Sequence, residues 1–260
     1  MSTYEVTAVR YGTLETTKAE TYYRYHAYGE PDEPLAMDYY FWVVRHGDDV
    51  TLVDTGFDAA AGTRRGRTSL CTPREALADL GLAPDDVGRV VITHLHYDHV
   101  GNLSTFPDAE ILLSGRELDF WTGPWARRLQ FAQVVEDAEI AHVESARREG
   151  RVTLLADDHE IAPGLRATWV GGHTPGQVVV SVATEGREVI LASDAVHLYE
   201  EIERDRPFAI LADLPGMYQA YQVLRDRTGP GQVLVAGHDP EVMQRFSRVD
   251  GLDDVAVRIS

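Results

Sequence analysis

The stretch His94-Leu95-His96-Tyr97-Asp98-His99 places four potential metal ligands within six residues. An apolar run, Val90-Val91-Ile92-Thr93, precedes it and predicts a buried strand that delivers these side chains into the following loop. Because residues two apart on an extended chain point the same way, His94 and His96 can bind one ion. Asp98 and His99 come one step later, where the chain can turn into a helix and face a second ion. Imidazole nitrogens and carboxylate oxygens suit zinc and other first-row divalent ions, so this stretch predicts a metal centre.

The composition is that of a folded globular protein with a strongly acidic surface. The chain has 260 residues, 44% of them hydrophobic, and a formal net charge of −18. A surface of this sign repels nucleic-acid phosphates and anionic lipid headgroups, so we expect neither nucleic acid nor a membrane as a partner. Cys71 is the only cysteine, which excludes an intrachain disulfide and a site built on two thiolates. The first residues form no secretory signal and no run of about 18 apolar residues occurs, so the expected location is the cytoplasm.

Short apolar runs bounded by Gly, Asp or Pro predict a series of strands. These runs are Tyr39–Val44, Val50–Val53, Val90–Thr93, Glu110–Leu113, Leu165–Val170, Val178–Val182, Val189–Ala192 and Gln232–Ala236. Helical patterns cover Pro73–Leu80, Leu129–Arg148 and Met217–Asp226. Early strands come in pairs and later ones are separated by helices or loops, a pattern that favours mixed sheets with helices outside. No Pro/Gly/Ser-rich linker interrupts the chain, so residues 1–260 are interpreted as one domain.

Four other short motifs accompany the histidine-rich stretch. They are Val-Asp54-Thr-Gly56, Gly171-Gly172-His173-Thr-Pro175-Gly176, Ser193-Asp194-Ala195 and Ala236-Gly237-His238-Asp239-Pro240. In this order, the five motifs resemble the hallmarks of the metallo-β-lactamase superfamily, and the resemblance covers nearly the whole chain. It implies an α/β protein with an αββα sandwich fold, in which two mixed sheets lie between outer helices and the metals lie at one edge.

The resemblance also implies a complete ligand set for two divalent ions, for which Zn²⁺ is the expected metal. The implied ligands are His94, His96 and His173 for one ion, Asp98, His99 and His238 for the other, and Asp194 as the bridge between them. Asp54 is not expected to bind a metal itself but to orient a ligand or to tie the loop.

Among the branches of this superfamily, the chain looks like the quorum-quenching lactonases, similar to N-acyl homoserine lactonases and 4-pyridoxolactonase. The implied reaction opens a lactone ring: hydroxide held by the two ions attacks the ester carbonyl, and the ring oxygen leaves. Asp98 is then a candidate catalytic residue as well as a ligand, and the partner is a small lactone or ester. Another ester, a thioester, an amide or a phosphoester stays open as the substrate, and so does a metal-binding or regulatory module without turnover. The oligomeric state also stays open, with a homodimer as one alternative.

One position departs from the lactonase pattern. The known lactonases of that branch carry a Tyr three residues after the bridging Asp, where this chain has His197, and Tyr199 lies two residues later. His197 is therefore a candidate catalytic residue that donates a hydrogen bond to the substrate or acts as an acid. Tyr199 is a second candidate for that place.

Two segments near these motifs are each open to two interpretations. The aromatic residues between Tyr22 and Tyr40 can pack in the core or form a lid or wall of a pocket. The charged segment Glu200–Phe208 can border the pocket or form a solvated loop, and we expect the loop.

Overall fold

The structure, a computed structural model, describes residues 3–260. Its strands are β1 (Glu5–Thr17), β2 (Pro34–His46), β3 (Asp49–Val53), β4 (Thr68–Ser69), β5 (Val87–Ile92), β6 (Glu110–Ser114), β7 (Val152–Leu155), β8 (Asp158–Ala162), β9 (Leu165–Trp169), β10 (Val178–Thr184), β11 (Arg187–Ser193), β12 (Gln232–Ala236), β13 (Ser247–Arg248) and β14 (Ala256–Arg258). Its helices are α1 (Lys18–Thr21), α2 (Ala59–Arg64), α3 (Pro73–Asp79), α4 (Tyr97–Val100), α5 (Gly115–Trp121), α6 (Leu129–Ala132), α7 (Asp137–Arg148), α8 (Tyr199–Arg204), α9 (Leu214–Arg227) and α10 (Val242–Arg245). Within residues 3–260, none of the helices is long and apolar enough to cross a membrane.

Two mixed β-sheets form the centre of the molecule. The first has the strand order β13-β14-β1-β2-β3-β5-β6-β7, with β4 also paired to β1. In it, β3, β5, β6 and β7 run parallel, while the pairs formed by β1 and β2 are antiparallel. The second sheet has the order β12-β11-β10-β9-β8, with β11 and β12 parallel and the other pairs antiparallel. The predicted strands are therefore confirmed, with shifts at their ends that are largest for β2, which begins at Pro34 rather than Tyr39.

Strand β2 explains why the sheets lie between two helical layers. Trp42 faces the core between the sheets, together with Leu191 of β11. Phe41 faces the opposite side, where its core includes Leu77 of α3 and Val143 of α7. Because successive side chains of a strand point to opposite faces, a strand that is apolar at consecutive positions must be covered on both. Helix α9 packs its apolar residues with the second sheet, and the αββα sandwich predicted from the sequence is confirmed.

The predicted helix Leu129–Arg148 is wrong in its length, because the chain forms two helices, α6 and α7, with a break between them. In the break, the carbonyl oxygen of Val134 accepts a hydrogen bond of 2.9 Å from the backbone N–H of Tyr97. Val134 is also buried, and Glu136 adopts extended backbone angles at the start of α7. A tertiary contact with the histidine-rich loop thus overrides the helical pattern.

The loop predicted for the charged segment Glu200–Phe208 is also partly wrong. Residues Tyr199–Arg204 form helix α8. Glu201 is fully buried rather than solvated, because its carboxylate accepts backbone N–H groups at the start of this helix, from His197 at 3.1 Å and Leu198 at 3.0 Å.

The carboxyl ends of strands from both sheets meet at one edge of the sandwich. His94 follows β5 of the first sheet, while Asp194 and His238 follow β11 and β12 of the second. A hydrogen bond of 3.1 Å from the N–H of Val178 to the carbonyl oxygen of Thr93 joins the two sheets at this point. The fold therefore gathers residues from distant parts of the sequence at a single edge.

Candidate metal centre

Two groups of buried histidines and aspartates lie at this edge. Within each group, one ligand atom of every side chain lies within 4.8 Å of the others. The first group is His94, His96, His173 and Asp194, and the second is Asp98, His99 and His238. None of these residues is more than 8% exposed. The structure thus brings together all seven ligands that the sequence predicts.

Asp194 lies between the two groups. Its Oδ1 atom is 3.1 Å from Nε2 of His99 and 3.0 Å from Nε2 of His238. Its Oδ2 atom is 3.2 Å from Nε2 of His173 and 3.6 Å from Nε2 of His94. Each carboxylate oxygen therefore faces one group, which is the arrangement that a bridging ligand requires.

Unpaired nitrogen atoms show that the cluster fits divalent cations. Within residues 3–260, the Nε2 atoms of His94 and His99 are buried and have no hydrogen-bond partner. Leaving such a group unsatisfied costs about 1–3 kcal/mol, and a cation removes that cost. Metal binding needs neutral imidazoles and ionised carboxylates, and this donor set suits zinc and related ions.

Most side chains of the cluster have pKa shifts that favour the forms needed for metal binding, which are neutral imidazoles and an ionised carboxylate. Burial first, and then the neighbouring histidines, hold the pKa of His94 and His96 well below its usual range. Burial acts to raise the pKa of Asp194, yet the surrounding histidines hold it well below the ordinary value. His99 differs, because the attraction of Asp194 and Asp54 outweighs burial and raises its pKa.

The far ring nitrogens of three histidines have fixed partners. Nδ1 of His173 is 2.9 Å from the carbonyl oxygen of Ile210, and Nδ1 of His238 is 2.9 Å from that of Asp38. Nδ1 of His99 is 2.8 Å from Oδ2 of Asp54. Donation from Nδ1 leaves the lone pair on Nε2, so these contacts select the tautomer that binds metal and fix the ring orientation.

Asp54 has the supporting role that the sequence predicts. Besides His99, its carboxylate accepts the backbone N–H of Thr93 at 2.8 Å and the hydroxyl of Thr93 at 2.8 Å. Its backbone is left-handed, with φ of 63°, a conformation that Asp tolerates better than most residues. Asp54 therefore ties the end of β3 to the start of the histidine-rich loop.

Glu117 of α5 is a supporting residue that sequence reasoning missed. Its fully buried carboxylate accepts the backbone N–H of Leu95 at 2.9 Å, the indole N–H of Trp121 at 2.6 Å and the backbone N–H of Gly176 at 2.8 Å. These contacts hold the loop of His96 against the loop of His173. The sequence around Glu117 does not distinguish it from a surface glutamate, because Leu95 and Gly176 lie in other parts of the chain.

His197 reaches the cluster. Its Nε2 atom is 3.0 Å from Oδ2 of Asp194, and its Nδ1 atom is 3.2 Å from Oε1 of Glu201. The ring stacks on Phe208 with a centroid separation of 3.7 Å. Burial opposes protonation, but Asp194 and Glu201 together raise the pKa of His197 to about 9. Glu201 also accepts the hydroxyl of Tyr221 at 2.8 Å, so the His197 ring is held on its far side by a buried chain of hydrogen bonds.

Tyr199 does not reach the cluster. Its hydroxyl donates to the carbonyl oxygen of Leu234 in β12 at 3.3 Å, and the guanidinium of Arg245 covers its ring. The side chain turns toward β12 because Tyr199 opens helix α8, where its N–H is held by Asp239 at 2.8 Å. The geometry thus gives no support to a catalytic role for Tyr199.

Two cavities meet at the cluster. The larger, about 350 Å³, contains the polar side chains of the centre and is closed by residues of β1, α1 and β2. The smaller, about 280 Å³, is lined mainly by apolar side chains, among them Phe120, Trp121, Phe131 and Leu211. His96 and His173 line both.

The aromatic segment contributes to these cavities in part. Tyr39 lines the larger cavity and Tyr23 the smaller one. Tyr22 and Tyr25 instead pack with Leu198 in a small apolar cluster behind the wall. Both interpretations of this segment therefore apply, each to different residues.

The site and the fold agree with comparisons to known proteins. The family model described as the metallo-beta-lactamase superfamily matches residues 38–250. The chain belongs to the metallo-beta-lactamase superfamily, which confirms the resemblance read from its motifs. It is a metallo-hydrolase of that superfamily with a buried His/Asp metal-binding cluster.

Curated relatives include lactonases and a hydrolase with a less specific name. N-acyl homoserine lactonase AiiA of Bacillus thuringiensis subsp. kurstaki is 24% identical over 194 residues, which cover 69% of this chain and 72% of that protein. A probable metallo-hydrolase of Mycobacterium tuberculosis is 25% identical over 247 residues, which cover 81% of this chain and 77% of that protein.

Solved structures share the fold. An N-acyl homoserine lactone hydrolase with the product N-hexanoyl-L-homoserine at its catalytic metal centre gives a TM-score of 0.77 at 21% identity, covering 96% of this chain and 98% of that one. AidC, a dizinc quorum-quenching lactonase, gives a TM-score of 0.73 at 18% identity, covering 91% and 88%.

Proposed function

We propose that this protein is a lactonase that opens a lactone of the N-acyl homoserine lactone type, with two Zn²⁺ ions bound by the cluster. The observation that carries the proposal is the junction of the two cavities at His96 and His173. The larger cavity contains the ionisable side chains Asp98, Asp194 and His197, while the residues that line the smaller one include no carboxylate and several aromatic side chains of α5 and α6. A substrate with a polar ring and an apolar acyl chain matches this division and places its ester beside the ligands.

The relatives support the same substrate class. The names of AiiA and of the solved hydrolase refer to N-acyl homoserine lactones. Their identities to this chain, 24% and 21%, are too low for likeness alone to assign a substrate. The proposal therefore rests on the cavities together with the names.

The proposed reaction divides the work between cations and side chains. Two bound divalent ions would lower the pKa of a water and polarise the ester carbonyl. Water adds its oxygen to the carbonyl carbon, the ring C–O bond breaks, and the ring oxygen takes up a proton, which gives a hydroxy acid. We assign the proton transfer to Asp98, whose side chain lies on the wall of the larger cavity. We assign to His197 a hydrogen bond from Nε2 to the substrate, because that atom has no hydrogen-bond partner within residues 3–260 and Glu201 holds the other side of the ring.

A metal-quantified hydrolysis screen tests the proposal. Protein loaded with Zn²⁺ should contain close to two ions per chain and open acyl lactones, with long acyl chains accepted in the smaller cavity. The screen should include aromatic lactones, other esters, thioesters, amides and phosphoesters, because the same centre can hydrolyse these bonds. Turnover of one of those classes without lactone opening would replace the proposal by that activity, and two bound ions without any turnover would indicate a binding module.

The role of His197 has its own test. The variant His197→Ala should lower kcat/KM on the best lactone by roughly 10²-fold or more, the usual contribution of a positioned acid or hydrogen-bond donor. His159→Ala, on β8 of the second sheet and outside the cluster, is the matched control. Metal content should be measured in both variants, so that loss of a cation is separated from loss of the hydrogen bond. An unchanged kcat/KM in a fully loaded His197→Ala protein would exclude the role.

A further inference from the structure

Three hydrogen-bonding side chains on the wall of the larger cavity are not among the candidate metal ligands. They are Tyr39 of β2, Arg67, which follows α2, and Tyr97 at the start of α4. All three line the cavity that contains Asp98 and Asp194. They come from separate elements, so the fold and not one local pattern brings them together.

Arg67 is a cation without a carboxylate partner in the described part of the chain. Its Nε–H donates to the hydroxyl oxygen of Tyr39 at 3.1 Å, and its guanidinium also contacts the carbonyl oxygen of Arg65. The neighbouring arginines behave differently, because Arg64 and Arg65 both pair with Glu136. In a chain with a formal net charge of −18, an arginine that lines a cavity and pairs with no carboxylate of residues 3–260 is open to an external anion.

Tyr97 supplies the second observation. The residue is only 4% exposed, and within residues 3–260 its hydroxyl is buried without a hydrogen-bond partner. The guanidinium of Arg65 lies 4.2 Å from the centre of the ring and holds it in place. A neutral phenol is a hydrogen-bond donor, so an oxygen acceptor in the cavity would satisfy it. An apolar residue in this place would avoid the cost of an unpaired hydroxyl.

We propose that Arg67 and Tyr97, supported by Tyr39, bind an anionic oxygen group that the substrate carries away from its scissile ester, either a carboxylate or a phosphate. A guanidinium and a phenol offer several N–H and O–H donors to such a group, and charge-assisted bonds of this kind are strong. Glu15 and Glu20 also line the cavity, but neither forms an ion pair with Arg67 among residues 3–260. The inference rests on the proposed lactonase activity and narrows its substrate, since it adds an anionic substituent to the lactone that the same cavity would bind.

Paired substrates test the inference in the Zn²⁺-loaded enzyme. One γ-lactone carries a ring carboxylate, its partner carries a carboxamide at the same carbon, and a third carries a phosphate. The wild type should prefer the charged lactones, and Arg67→Ala should lower the charged-to-neutral ratio of kcat/KM by roughly 10–100-fold, the effect of losing a hydrogen bond to a charged group. Comparison of the lactone that carries a carboxylate with the lactone that carries a phosphate shows which anion is preferred. An equal ratio in wild type and Arg67→Ala overturns the inference.

Two further variants keep the result interpretable. Tyr97→Phe removes only the unpaired hydroxyl and keeps the ring, so it should lower the same ratio several-fold without unfolding the protein. Arg64→Ala removes an arginine of α2 whose side chain is 58% exposed and does not line this cavity, and it should leave the ratio unchanged. A ratio that moves equally in Arg64→Ala and Arg67→Ala would indicate long-range charge alone and would also overturn the inference.

Equilibrium binding separates this inference from the lactonase proposal. Glutarate and its monoamide are compared by calorimetry on the Zn²⁺-loaded wild type and Arg67→Ala. Preference for glutarate that disappears in Arg67→Ala supports the anion site even if no lactone is hydrolysed, in which case only the proposed function fails. Lactone hydrolysis combined with binding that does not depend on Arg67 leaves the function standing and excludes the anion site.

Discussion

Glu139, on α7, is a largely buried carboxyl group outside the metal centre. Its pKa is raised to about 8, first by burial and then by repulsion from Glu136 and Asp98, while Arg65 opposes the shift. The folded chain therefore keeps this proton up to about pH 8, whereas the unfolded chain releases it near the ordinary glutamate value. Between those two values the unfolded state binds fewer protons, so the free energy of unfolding falls as the pH rises.

The variant Glu139→Gln should remove this pH-dependent loss of unfolding free energy. We expect it to match the wild type near pH 5 and to exceed its unfolding free energy by roughly 1–3 kcal/mol near pH 9, a range that allows for partial exposure of the group. Urea unfolding at the two pH values measures the difference. Glu144→Gln, at an exposed position of the same helix, is the control. An identical pH slope in wild type and Glu139→Gln would contradict the shifted pKa.

Single residues of the centre differ in how far the sequence predicts them. His96 and His173 lie in short motifs with recognisable spacing, and the structure places both in the cluster. Glu117 and Glu201 carry no such signal, because each acts through partners that only the tertiary fold brings near, such as Gly176 and Tyr221. Tyr199 was a candidate by proximity along the chain, but proximity does not fix the direction of a side chain at the start of a helix.

At the scale of elements, α5 ties two ligand-bearing loops together. Gly176 approaches this helix so closely that an added Cβ would lie 2.5 Å from Cα of Glu117 and would also overlap its backbone nitrogen. The atoms in the way belong to the backbone, so a small rotation of a side chain cannot relieve the overlap. The loop of His173 therefore requires glycine at this position.

Gly176→Ala should destabilise the protein by about 1–3 kcal/mol, the usual cost of overpacking, or more if α5 must shift. The loss should appear in urea or thermal unfolding. Gly231→Ala is the matched control, since a Cβ at that position meets no atom within 4 Å. Equal stability of Gly176→Ala and wild type would mean that the helix and the loop are not in rigid contact.

A helix or strand can be predicted from the sequence when its own residues determine it, but not when a contact with a distant residue does. The strands that precede the ligands are continuous apolar runs, since both of their faces are covered. β1 has a less regular pattern, because its pairing with β2 shifts register between Arg10 and Gly12. The break between α6 and α7 depends on the hydrogen bond between Val134 and Tyr97. No pattern local to residues 129–148 contains that contact.

At the scale of the whole molecule, the metal centre should join the two sheets. Its ligands follow strands of both, so cations bound there stabilise the folded chain over the unfolded one. At a free metal concentration 100 times the dissociation constant, this stabilisation is about 2.7 kcal/mol. For a chain of this size, removing it should lower Tm by roughly 5–10 °C.

Differential scanning calorimetry with and without a chelator checks this expectation. Readdition of Zn²⁺ should restore the original Tm, and the same chelator already saturated with metal is the control. If complete removal of metal leaves Tm unchanged, the cluster does not couple cation binding to folding.

The position of β1 between β14 and β2 also has a consequence for biosynthesis. Thr7 of β1 lies opposite Arg258 of β14, while the other edge of β1 pairs with β2. A ribosome makes β1 and β2 long before β14, because most of this sequence lies between them. Until then, residues 7–9 of β1 expose unpaired N–H and C=O groups on one edge, and open edges of this kind favour pairing with other chains. The nascent protein should therefore be most prone to aggregate just before residues 256–258 emerge.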